Sequence, residues 1–170
     1  DQVGPDVTRF VMLTRKNDAP LDFDFARVLE QSRENPVFYV QYAHARVCSV
    51  LRKAGEAGIA ADDATLTAAD LASVSHEAEL AVARKIGEWP RLVEIAARTH
   101  EPHRIAFYLY DLASEFHGLY HMGKSNPGLM FVQEGDPVAT AAKIALPRAV
   151  AVVISAGLGI LGVTPAEEMR

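Results

Sequence analysis

The chain has 170 residues of which 49% are hydrophobic, enough to bury one core and more consistent with one domain than two. Its net charge of −5 excludes a nucleic-acid binder that works by bulk electrostatics and leaves room only for a local basic strip. A single cysteine, Cys48, excludes a disulfide framework or a cysteine-based zinc site.

The chain begins on Asp1 rather than Met and reads as a piece of a longer polypeptide. No signal or transit segment opens it, so a reducing cytoplasm is the expected setting. Val3 to Lys16 reads as a short amphipathic helix ended by the turn cluster Asn17-Asp18-Ala19-Pro20. Asp22 to Ser32 reads as a second helix, with Phe23, Ala26, Val28 and Leu29 on its apolar side. Asn35 and Pro36 are start signals for a third helix, and Gly55 is its expected stop.

Gly55 to Leu71 is rich in Ala and Asp with weak periodicity and predicts a loop with one marginal turn. Ser75 is the expected cap of a helix running to Glu88, with Leu80, Ala83, Ile86 and Gly87 inward. Pro90 opens a short helix to Thr99, and Pro102 starts a strong one in which Ile105, Leu109, Leu112, Phe116 and Leu119 keep helical spacing. Gly123 to Pro137 predicts a loop, and Val138 to Leu161 a last helix with Pro147 inside it. The apolar run from Ala149 to Val163 is shorter than the roughly 20 residues that span a bilayer, so it reads as a buried core helix with no membrane partner. Nothing alternates at a period of two, and the expected fold class is an all-α helical bundle.

The helix from Asn35 to Ala54 carries two faces. At about 100° per residue, Val40, Ala43, Val47, Val50 and Ala54 form one stripe, a core. Tyr39, Tyr42, Arg46, Ser49 and Lys53 form the neighbouring stripe, with no acidic residue between Glu34 and Glu56. Aromatic planes and cations on one face suit single-stranded RNA. The same stripe also fits a widened core boundary, with Arg46 paired to an acid from another helix such as Glu30 or Asp111.

Two motif matches fail on context. Gly118 to Ser125 spells the phosphate-loop pattern G-x-x-x-x-G-K-S, but it ends a helix filled with Leu, Tyr, His and Met instead of following a strand. His100 and His103 flank Glu101 one residue short of the H-E-x-x-H zinc spacing, and His117 with His121 lacks a third ligand. These histidines read as exposed helix-end residues, and no metal site is expected.

The segment from Gln31 to Ala54 strongly resembles the start of the anticodon-binding (DALR-type) domain of bacterial arginyl-tRNA synthetases. Asp6 to Phe10, Leu21 to Asp24 and Glu101 to Ala113 resemble the same family in the same order, with the likeness weakest over 58–74 and 122–137. The resemblance implies residues 1–20 as the end of a segment joining a catalytic domain, and residues 21–170 as the α-helical anticodon-binding domain of the class I synthetase type. It implies that Tyr39, Tyr42 and Arg46 stack on and hydrogen-bond the splayed anticodon bases of tRNA(Arg). It implies an aromatic pair from Phe116 and Tyr120, although Phe116 also continues a core stripe, and a closing Met169 near the chain end.

The partners implied are the tRNA(Arg) anticodon stem-loop and the catalytic domain of the same polypeptide, in a monomer that binds no DNA. Such enzymes carry a His-Ile-Gly-His-like signature and a Lys-Met-Ser-Lys-like loop for ATP. His121-Met122-Gly123-Lys124 lacks the second His, and the loop has no counterpart. No catalytic residue is therefore expected in these 170 residues, and the resemblance implies that ATP and Mg²⁺ would be used by a catalytic domain elsewhere in the parent enzyme. The competing expectation is a free-standing module of this fold that binds RNA or protein without aminoacylation.

Overall fold

The computed structural model describes residues 3–16, 29–30 and 32–169, so most of the helix expected from Asp22 to Ser32 lies outside the described residues. Among the described residues all regular structure is helical. In chain order the α-helices are α1 (Pro5–Leu13), α2 (Pro36–Glu56), α3 (Asp63–Thr67), α4 (Glu77–Gly87), α5 (Trp89–Thr99), α6 (His103–Ser125) and α7 (Pro137–Ile160). Single 3₁₀ turns lie at Leu71–Ser73 and Pro127–Leu129.

Helix α2 organises the bundle, packing most extensively on α7 and then on α6. Asn35 caps it by accepting a hydrogen bond from the Phe38 N–H (3.4 Å), and Pro36 sits where a missing N–H costs nothing. The helix runs through Gly55 instead of stopping there. Gly58, at φ +80°, is the real terminator: its N–H bonds the Gly55 carbonyl and the Ile59 N–H bonds the Ala54 carbonyl, a Schellman pair that needs a left-handed residue. The expected core stripe of Val40, Ala43, Val47, Val50 and Ala54 is buried throughout.

Opposite it, α6 buries Leu109, Leu112, Phe116 and Leu119, and its last turn extends past Gly123 to Ser125. Contact between α6 and α7 is close at Gly157, where a Cβ would lie 2.7 Å from Leu109 Cδ2. Helix α7 is long and apolar enough to cross a membrane by length and composition, but 56% of its most apolar stretch is buried, with Val150, Ile154 and Leu158 in the core. Helix α1 joins the same packed body: Phe10 is fully buried, Arg9 Nη1 donates to the Gly162 carbonyl (3.0 Å), and Asp6 accepts from the Thr164 N–H (3.0 Å).

The face of α4 differs from the sequence expectation. Its cap is His76, not Ser75, and its buried residues are Glu79 and Val82, while Ala83 and Gly87 are exposed. The cause is electrostatic. Glu79 Oε1 takes a 2.6 Å ion pair from Lys143 of α7, so a carboxylate occupies a position where periodicity expects an apolar residue.

Candidate nucleic-acid interface

The first half of α2 and the second half of α6 run side by side and leave an open cleft of about 380 Å³ between them. From α2 come Tyr39, Tyr42 and Arg46, at the i, i+3, i+7 spacing that puts them on one face. From α6 come Ser114, His117, Gly118 and His121, and Arg33 closes the end ahead of α2. None of these lining residues is acidic.

Arg46 is the centre of the site. Its Nη2 donates to the Tyr42 hydroxyl (2.7 Å) and its Nη1 to His117 Nδ1 (2.6 Å). Its guanidinium carbon lies 4.4 Å from the ring centroid of Tyr42 and 4.4 Å from that of Tyr120, a cation–π contact with each. The acids considered as partners are engaged elsewhere: Asp111 lies 3.5 Å from Lys85 Nζ, and Glu30 accepts from Ser32 Oγ (3.2 Å). Arg46 is thus fixed by neutral acceptors and aromatic faces.

His117 shows its state through its bonds. Because Nδ1 accepts from Arg46, the ring proton sits on Nε2, which donates to the Tyr39 carbonyl (3.3 Å). Burial, and then the Arg46 charge, push its pKa down from 6.5 to about 4, so the ring is neutral at physiological pH. This corrects the reading of the histidines as exposed helix-end residues: His117 is 3% exposed and His103 is also buried. His121 and His100 are exposed as expected.

An aromatic layer continues from this pair. The Tyr39 ring lies 4.5 Å from His117 and 5.1 Å from Tyr110, and Tyr42 stacks at 5.9 Å on Phe38 with 17° between planes. Arg33 Nε donates to the Tyr110 hydroxyl (3.3 Å), and Lys124 stands at the rim over Tyr120. Tyr42 keeps 36% of its surface exposed on the side of the cleft.

The structure brings Tyr39, Tyr42, Arg46 and Tyr120 together, with Phe116 behind Tyr120 at 6.5 Å between ring centroids. Phe116 is fully buried and packs on Phe131 at 5.8 Å, so its role as a contact residue is corrected to support beneath the site. Met169 is not among the residues lining the cleft. Ahead of it, the Ala166 carbonyl meets His44 Nδ1 (2.7 Å) and Glu168 pairs with Arg52 (3.6 Å), which lays the chain end along another flank of α2.

Sequence reasoning missed Arg33, Tyr110, Ser114, His117, Gly118 and His121. The signal was present: Tyr110, Ser114, His117 and His121 recur at spacings of four, three and four, a polar stripe on one face of α6.

The DALR anticodon binding domain family matches residues 40–169. The chain is 75% identical over all 170 residues to the arginine–tRNA ligase of Ruegeria pomeroyi and 71% identical to that of Paracoccus denitrificans, in each case covering 29% of the relative. Its fold superposes on the arginyl-tRNA synthetase of Thermus thermophilus with a TM-score of 0.75 and 30% identity, covering 96% of this chain and 26% of that one. The chain therefore spans less than a third of the length of the relatives it matches. With the family match running from within α2 to the last described residue, through every element that builds the cleft except Arg33 and Tyr39, the chain belongs to the DALR anticodon-binding domain family.

Proposed function

We propose that this domain recognises the anticodon of tRNA(Arg) as part of an arginine–tRNA ligase. The observation that carries the reading is Arg46, a cation held between two phenol rings at the wall of an open cleft that contains no acid. Unstacked bases meet aromatic planes at Tyr39 and Tyr42, and the guanidinium offers directional donors to a base edge while its charge attracts phosphate. The relatives carry this stretch as 29% of a longer protein, which favours a domain of a larger enzyme over a free-standing module.

The parent enzyme would join L-arginine to tRNA(Arg) in the cytoplasm using ATP and Mg²⁺. These residues do not fit a nucleotide. Gly118 to Ser125 lies inside α6, where backbone N–H groups are committed to the helix and cannot close round phosphates. The purified 170-residue chain should therefore support no arginine-dependent ATP–pyrophosphate exchange.

The deciding experiment compares RNA hairpins carrying an arginine anticodon and the same hairpin with its middle base changed. Arg46→Lys keeps the charge but loses the planar fork, so about 1–3 kcal/mol of discrimination should disappear while non-specific binding and its salt slope stay nearly constant. Undiminished preference in the Lys variant would remove Arg46 from base reading.

A further inference from the structure

We propose that His117 is a positioning residue for RNA recognition, its Nδ1 lone pair and the Tyr42 hydroxyl together holding the Arg46 guanidinium in one orientation. The inference rests on the RNA reading of the cleft and adds a residue that would act through Arg46. A guanidinium carries five N–H donors, and two are engaged here, one by His117 and one by Tyr42. The other three remain as a fixed set for a base edge.

A carboxylate at the His117 position would hold Arg46 as firmly, but it would cancel the charge and repel the RNA backbone. A neutral imidazole fixes the geometry and leaves the charge intact. It serves only as the Nε2–H tautomer, and the Tyr39 carbonyl selects that tautomer. Burial first, and then the Arg46 charge, keep the ring neutral. Arg46, Tyr39 and Tyr42 face it from α2, Arg33 stands ahead of α2, and His121 lies one turn further along α6. None of them is a carboxylate. The depressed pKa of His117 agrees with this arrangement.

The test uses the 170-residue chain, fluorescence anisotropy with the two hairpins described above, and ¹⁵N spectra of the histidine rings. At pH 7 the wild-type spectrum should show an unprotonated Nδ1 on His117, perturbed by Arg46→Ala. His117→Leu should fold, as judged by thermal melts, and lose roughly tenfold in preference for the arginine anticodon. His117→Asn, whose Oδ1 can take the place of Nδ1 as an acceptor, should retain most of that preference. Full preference in the Leu variant, an equal loss in both variants, or a protonated Nδ1 at pH 7 would each overturn the proposal. Equal binding of both hairpins by the wild type would instead refute the RNA reading, and the positioning role with it.

Discussion

Lys143 and Arg46 are both drawn into this bundle, and they are held in opposite ways. Lys143, on α7, ends 2.6 Å from the Glu79 carboxylate and 3.4 Å from the Ser73 carbonyl, while the other Glu79 oxygen accepts from the Ser75 and His76 N–H groups. Both side chains are almost wholly buried. Arg46, on α2, has no carboxylate among its partners and keeps one side on an open cleft. The first arrangement cancels a charge to join α4 and a 3₁₀ turn to α7. The second preserves a charge and fixes its direction, as the proposed reading of the cleft requires.

If that contrast is right, the largest stability effect should follow from Glu79, not from the cleft. Glu79→Ala leaves the Lys143 ammonium buried without its partner and removes the carboxylate from the start of α4. A loss of about 3–5 kcal/mol is expected in urea unfolding, with anticodon preference unchanged in the molecules that remain folded. Arg46→Ala should cost far less stability, because the remaining His117 and Tyr42 groups are neutral. Equal destabilisation by the two variants would break the distinction between a structural and a presented cation.

His117 sharpens the comparison through pH. In the unfolded chain its imidazole takes up a proton near pH 6.5, whereas in the folded chain it does so only near pH 4. As pH falls, the unfolded state binds the proton first. The favourable difference is therefore complete above pH 6.5 and is lost between 6.5 and 4, by about 3 kcal/mol in all. Unfolding free energies measured across that window should fall more steeply for the wild type than for His117→Asn, which has no proton to take up. Parallel pH curves would show that the ring is solvated rather than held under Arg46.

What the sequence made legible was each helix taken by itself. A period of 3.6 found the core stripe of α2 and the apolar side of α6, because both stripes are apolar on their own terms. It misjudged α4, where Glu79 is buried only because Lys143 arrives from a helix 64 residues away. Phe116 and Tyr120 share a face at i and i+4, but spacing cannot show that Phe131 seals one and Arg46 covers the other. His117 was missed for the same reason: a polar residue becomes a buried acceptor only when its donor comes from a second helix. Gly55 reads as the stop, but the left-handed backbone that ends the helix falls at Gly58, and only the backbone angle shows that. The Tyr39–Tyr42–Arg46 set was readable because one helix carries all three.

The smallest expected effect concerns the Tyr42 hydroxyl, which accepts from Arg46 Nη2 while the ring below it meets the same guanidinium at 4.4 Å. Tyr42→Phe keeps the ring and its stack on Phe38 but removes one of the two acceptors that orient Arg46. Because His117 still holds Nη1, the guanidinium should stay close to its place, and RNA affinity should drop by about 0.5–1.5 kcal/mol, the usual worth of one hydrogen bond. Tyr42→Ala removes the ring as well and should cost about 1–3 kcal/mol, the worth of one base–aromatic stack. Because Tyr42 also packs on Phe38 and His117, thermal melts of both variants are needed to separate lost binding from lost stability. A Phe variant as weak as the Ala variant would mean that the hydroxyl governs binding more than the ring does. An Ala variant that binds as tightly as wild type would make Tyr42 a boundary residue of the core, leaving Arg46 held by His117 and Tyr120 alone.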